Sequence, residues 1–134
     1  IELKGKGTAI PTIEILRNYF NKGLIKEKNI LISSFDWDEL LILRSVSQEI
    51  PIGVLIDGNP LLALKFAEEV KATSINSDYR SLNKKNIELI NAMGYKLFPY
   101  TVNDKDEMKK LISLGVDGII TDYPDKLKNI LNNS

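Results

Sequence analysis

The chain has 134 residues, 43% of them hydrophobic and 27% charged, with eighteen basic side chains balanced by eighteen acidic ones. That length suits one domain with a real core, and the neutral balance gives no electrostatic footprint for nucleic acid or an anionic membrane. There is neither cysteine nor histidine, which excludes disulfides, thiolate and imidazole metal sites and a Ser-His-Asp triad, so acid–base chemistry by this chain alone must use carboxylates, lysine or tyrosine.

The elements follow one pattern: a short apolar run, a capping residue, then helical apolar spacing. "IELKG" (1–5) reads as a strand, and Pro11 suits the first position of a helix with Ile13, Leu16 and Phe20 inward. "NILISSF" (29–35) is the second strand. Asp36 and Glu39 read as a capping box before Trp37, Leu40, Leu41 and Leu43. "IPIGVLI" (50–56) is the third strand, followed by a helix opening at Asn59-Pro60 with Leu61, Leu64 and Ala67 apolar. "ATSIN" (72–76) is the fourth, and Asn83 caps a helix that lines up Ile87, Ile90 and Met93. "YKLFPYTVN" (95–103) is the fifth, and Asp104 with Glu107 forms a second box ahead of Met108, Leu111 and Ile112. "VDGIITD" (116–122) is the sixth, and Pro124 opens a helix with Leu127, Ile130 and Leu131. Gly23, Gly94 and Gly115 fall where helices end, and the tail "LNNS" is expected to fray.

Six strands alternating with six helices predict a parallel α/β architecture. No strand end carries G-x-G-x-x-G or G-x-x-x-x-G-K-[ST], the fingerprints of common open doubly wound sheets. Short consecutive units suit a (β/α)8 TIM barrel, which needs eight units and about 250 residues. The expectation is a partial barrel of six parallel strand–helix units, with residues 1–134 a single domain forming the C-terminal portion of a longer enzyme and "IELK" its third strand. No apolar run approaches the roughly 20 residues that span a bilayer, and Ile1–Gly7 does not read as a signal peptide. The cysteine-free composition fits a cytoplasmic location.

In a barrel, substrate sits at the C-terminal strand ends. These are Glu2 and Lys4, Ser33 to Phe35, Asp57, Asn76, Tyr100 to Asn103, and Thr121 to Asp122. Glu2 and Lys4 are two apart and share one face of their strand. Side by side they could hold a divalent cation and an anionic oxygen, although spacing alone favours a plain ion pair. A carboxylate on a barrel's interior face is costly to bury unless paired or bound to metal. By pattern alone Tyr100 and Trp37 read as packing residues, and Asp117 and Asp122 as turn and cap residues. Gly118 marks a close approach of backbones.

"IELK", "ISSF", "YTVND" and "LGVDGIITDYPDKL", in this order at strand ends, resemble the glycerophosphodiester phosphodiesterase family. Its members are barrel enzymes with an E-[IL]-K strand, a Ser-Phe strand end, a W-T-V-N strand end and a closing G-V-D-G-I-I-T-D-x-P. The resemblance runs from Ile1 to about Leu131. It implies that Glu2 is a metal-binding carboxylate, that Lys4 is the catalytic lysine near the phosphate, and that Phe35 and Tyr100 are aromatic walls beside the glycerol. Tyr100 stands where the family usually has tryptophan, and Asn103 and Asp122 match positions of an architectural kind. The family's H-R-G strand, E-x-D strand and following H-D, which hold its acid–base histidines and other metal carboxylates, have no counterpart here. The implied reaction of the complete enzyme is metal-dependent hydrolysis of a small-molecule glycerophosphodiester to glycerol 3-phosphate and an alcohol, with Mg2+ or Ca2+ as cofactor, and this chain alone is expected to be inactive. The alternative is a non-catalytic barrel-like module that binds a phosphate-bearing ligand or a partner.

Overall fold

In the computed structural model, which describes residues 1–132, five strands alternate with helices. They are β1 (Glu2–Leu3), β2 (Ile32–Ser34), β3 (Ile52–Ile56), β4 (Ser74–Ser77) and β5 (Lys96–Leu97). The helices are α1 (Ala9–Asn21), α2 (Trp37–Val46), α3 (Leu64–Glu69), α4 (Lys84–Ala92), α5 (Lys105–Ser113) and α6 (Pro124–Asn132), so each expected helix is present, although the one expected to open at Asn59-Pro60 starts as a 3-10 helix, Pro60–Ala63, and becomes α-helical at Leu64. The sheet order is β1-β2-β3-β4-β5. Strand neighbours in chain order, joined by helices, are what short right-handed crossovers build, and the fold is α/β with a parallel sheet. Asn133 and Ser134 of the tail expected to fray lie outside the described residues.

The chain divides into two compact units, one of Ile1–Leu55 with Lys65–Thr73, the other of Ile56–Leu64 with the chain from Ser74 on. In the first, β1 pairs parallel with β2, placing Glu2 beside Ser33, and β2 pairs parallel with β3. β2 and β3 are buried along their length: Ile32, Ile52 and Val54 are fully covered, as are Leu40 and Leu43 of α2. Helix α1 begins at Ala9, so Pro11 is its third residue rather than its first. That is tolerated because the first four helical N–H groups have no intrahelical partner to lose.

In the second unit β4 pairs parallel with β5. Asn83 caps α4 as expected, and the box is reciprocal: each of Asn83 and Asn86 accepts the other's backbone N–H. Ile87 and Ile90 are fully buried, each worth about 1.5–3 kcal/mol, whereas Met93 is exposed. Only half of the second box forms. Asp104 accepts from the Asp106 and Glu107 amides, while Glu107 pairs with Lys110. Val102, Met108, Leu111 and Ile130 form a core with Leu127 and Ile119 packed on it. Gly94 and Gly115 close α4 and α5 at φ 84° and 86°, the left-handed region where a side chain is strained.

The expected sixth strand, 116–122, is not a regular strand. It does run beside β5 and the residues after it. Asp117 N–H donates to Leu97 O, Ile120 N–H to Pro99 O, and Val102 N–H to Ile120 O. The two bonds of Ile120 reach residues one step further apart than a regular parallel ladder allows, a bulge that breaks the strand. The close approach at Gly118 is to the ring of Phe98, not to a backbone. No helix among the described residues is long and apolar enough to cross a membrane.

Candidate functional site

Parallel pairing of β1 and β2 brings their C-terminal ends to one edge of the first unit. There Glu2, Lys4, Lys6, Phe35, Asp36, Trp37 and Asp38 line an open cleft of about 690 Å³. Three of the four residues singled out from the sequence, Glu2, Lys4 and Phe35, therefore share one cavity. Glu2 is not buried: its side chain is 38% exposed and lies 3.8 Å from Lys4 Nζ, itself 78% exposed. An exposed pair of this kind contributes about 0–1 kcal/mol, so the fold does not depend on it and both charges face solvent in the cleft. The Phe35 side chain presents an apolar surface beside them, 46% exposed.

Trp37 touches the cleft but is a packing residue, as expected. Its Nε1–H donates to Leu55 O at 3.0 Å, and its ring stacks on Phe66 with centroids 4.6 Å apart. The Asp36–Glu39 capping box does not form. Glu39 is buried and faces the chain beyond β1, where its carboxylate accepts from Gly7 N–H at 2.6 Å and Ala9 N–H at 2.7 Å. These amides hold its carboxyl below the usual glutamate range against the opposing effect of burial. Sequence reading missed this role, because a local D-x-x-E pattern cannot reveal donors thirty residues away. Lys6 was also missed, although it continues the Glu2, Lys4 alternation.

Tyr100 belongs to the second unit. With Asp57, Asp78, Tyr79, Arg80 and Thr101 it lines a pocket of about 320 Å³. Its hydroxyl lies 2.8 Å from Asp57 Oδ1 and 3.0 Å from the Ile56 carbonyl. A tryptophan here could not make that O–H bond, which gives the tyrosine its own anchor. Arg80 grips Asp78 through Nε and Nη2, and this charged donor holds the Asp78 carboxyl below its usual range. Asn76 is buried and accepts the Ser74 hydroxyl. The Asp117 carboxylate accepts the Leu97 N–H, and Asn103 bridges Thr121, the Asp122 amide and the Asp122 carboxylate. Asp117, Asn103 and Asp122 make the turn and cap contacts expected from the sequence, whereas Asn76, a strand-end candidate, is held inside by Ser74.

A hard divalent cation takes six or more oxygens. Glu2, Asp36 and Asp38 all border the cleft, yet among the described residues no three His, Cys, Asp or Glu come together to hold a metal ion. Glu2 can serve as one ligand, and these residues do not complete a shell.

Parallel strands joined by helices, with a charged cleft at the C-terminal strand ends of the first unit, match a partial barrel of the α/β class. The sequence matches the glycerophosphoryl diester phosphodiesterase family over residues 12–126, and the chain belongs to that family. A glycerophosphodiester phosphodiesterase of Bacillus subtilis (strain 168) is 32% identical over 104 residues, 75% of this chain and 36% of the relative. One from Caldanaerobacter subterraneus subsp. tengcongensis is 32% identical over 131 residues, 98% of this chain and 54% of the relative. An Oleispira antarctica phosphodiesterase solved in complex with the product sn-glycerol-3-phosphate superposes with a TM-score of 0.85 at 24% identity, over 98% of this chain and 53% of that one. The chain thus spans about half the length, or less, of these relatives.

Proposed function

We propose that the protein carrying this chain hydrolyses glycerophosphodiesters to glycerol 3-phosphate and an alcohol, a step in lipid turnover. The observation that carries this reading is the shared cleft of Glu2, Lys4 and Phe35 at the C-terminal strand edge of a family member. The Oleispira protein's complex with sn-glycerol-3-phosphate supports a small ligand of that chemistry. Lys4 is the donor that stabilises charge building on the phosphoryl oxygens, and Phe35 offers a flat wall to the glycerol carbons. Tyr100 is assigned to substrate contact by its position, which is where the family usually has a tryptophan wall. A divalent cation, Mg2+ or Ca2+, would take Glu2 as one oxygen ligand and polarise the phosphoryl group. A cytoplasmic setting is part of this proposal, and the cysteine-free composition fits such a reducing compartment. Without histidine, the 134 residues made alone turn over no substrate.

The test is release of glycerol 3-phosphate from glycerophosphocholine by the whole protein with Mg2+ or Ca2+. Glu2→Gln and Lys4→Ala should each lose about 10²–10³ in rate. Asp117→Asn should keep the rate and lose about 1 kcal/mol of stability. A wild-type rate for Glu2→Gln would make the pair a surface ion pair and overturn its place in the site. A whole protein that binds glycerol 3-phosphate but never turns over would be a binding module.

A further inference from the structure

Two buried side chains behind the cleft make contacts that the proposed chemistry does not use. Ser34 is fully buried. Its hydroxyl donates to Leu3 O at 2.7 Å and accepts from Asp36 N–H at 3.0 Å. Leu3 is the residue between Glu2 and Lys4, and Asp36 directly follows Phe35. One hydroxyl therefore ties the backbone carrying the charged pair to the backbone carrying the aromatic wall. Glu39 holds the other end of the same segment through Gly7 and Ala9. Between these two anchors, Thr8 Oγ1 donates to Gly5 O at 2.6 Å, closing the turn on itself. The stretch from Leu3 to Ala9, which includes Lys4 and Lys6, is thus pinned at both ends to β2 and α2.

The pinning is more than the fold requires. Parallel pairing with β2 covers Glu2 and, of this stretch, Leu3 alone. Beyond Leu3, a turn containing Gly5 and Gly7 would be free to shift. Lys4 sits on that unpaired side. A long exposed ammonium has little geometry of its own, so its aim is set by where its backbone is held.

The geometry points to Ser34 and Glu39 as positioning residues: a two-point clamp that fixes Lys4 and Glu2 in register with Phe35, without either clamp residue touching substrate. This inference rests on the functional reading of the cleft given above. Neither residue supplies a proton or a ligand to the reaction. Each acts through the backbone, Ser34 at the strand end and Glu39 at the far end of the turn.

The experiment measures kcat and KM for glycerophosphocholine in the whole protein, well below its melting temperature, with hydrogen exchange of residues 4–9 followed in parallel. Glu39→Gln keeps the shape but leaves one amide without an acceptor. It should speed exchange at Gly7 and Ala9 and lower kcat by about tenfold or more, since a misplacement near 1 Å can cost about 10². KM should move far less, because Lys4 acts on charge that develops in the transition state. Ser34→Ala should lower kcat in the same way, and Ser34→Thr, which restores the hydroxyl, should recover it. A folded Glu39→Gln with faster exchange and unchanged kcat would overturn the positioning role and leave a purely structural clamp. Unchanged exchange would overturn the clamp itself. A wild-type rate for Lys4→Ala overturns the functional reading instead, so the two failures are told apart.

Discussion

Replacing Glu39 by glutamine should destabilise the protein by about 3 kcal/mol at neutral pH and by much less in acid. Oε1 and Oε2 each accept one backbone N–H, from Gly7 and Ala9. Glutamine keeps one acceptor and turns an N–H2 toward the other donor. One charge-assisted bond worth about 1.5–3 kcal/mol is lost, and the other falls to a neutral bond worth about 1 kcal/mol. Ala9 is fully buried, so water cannot readily replace its lost partner. For a chain of this size, about 3 kcal/mol lowers Tm by roughly 10 °C. The pH dependence follows from the direction of the shift. The Gly7 and Ala9 amides lower the folded-state pKa, so the contribution is full above the unfolded value of about 4.3 and is lost as pH falls through the folded value. Thermal melts of wild type and Glu39→Gln should therefore differ by a constant amount between about pH 6 and 8, with the gap closing as pH falls below about 4.3 toward the lowered folded value. Equal melting temperatures at pH 7, or a gap that persists undiminished in acid, would refute the reasoning.

Gly118→Ala should cost about 1–2 kcal/mol, because an added Cβ would lie 3.0 and 3.1 Å from two Phe98 ring carbons; chemical denaturation should show the loss shrinking in a Phe98→Leu background, and an unchanged midpoint would mean the ring yields freely. Lys71, a non-glycine residue with positive φ at 49°, follows α3 in the left-handed region. Lys71→Gly should raise stability by about 0.5–1 kcal/mol, the relief of strain exceeding the added unfolded-state entropy, and a lower denaturation midpoint would count against it.

The alternation of strands and helices was legible because burial on both faces forces continuous apolar runs, and because helix ends need caps. Asn83, Asp104 and Pro124 stand where that chemistry requires them. The bulge at 116–122 was not legible. "VDGIITD" has the composition of a strand, and nothing local records that its ladder with the chain after β5 slips by one residue at Ile120. Composition reports burial, and register is a property of the pair.

The cleft divides along the same line. Glu2, Lys4 and Phe35 could be read from the sequence because parallel strands deliver their C-terminal ends to one edge, so strand-end residues become neighbours whatever lies between them. What holds those ends is different in kind. Ser34 by one hydrogen bond and Glu39 by two reach backbone thirty or so residues away, and such bonds leave no periodicity. Glu39 even carries a misleading local signature, since Asp36 three residues earlier completes a capping pattern that the structure does not use. Two short bonds to a preceding turn outcompete one local bond to the start of its own helix. A carboxylate placed three residues into a helix that follows a buried strand is within reach of the turn after the neighbouring strand, and when that turn holds glycines its amides are open to be bound. That combination, D-x-x-E beside a glycine-containing turn on the adjacent unit, is the sequence feature by which such a clamp can be sought.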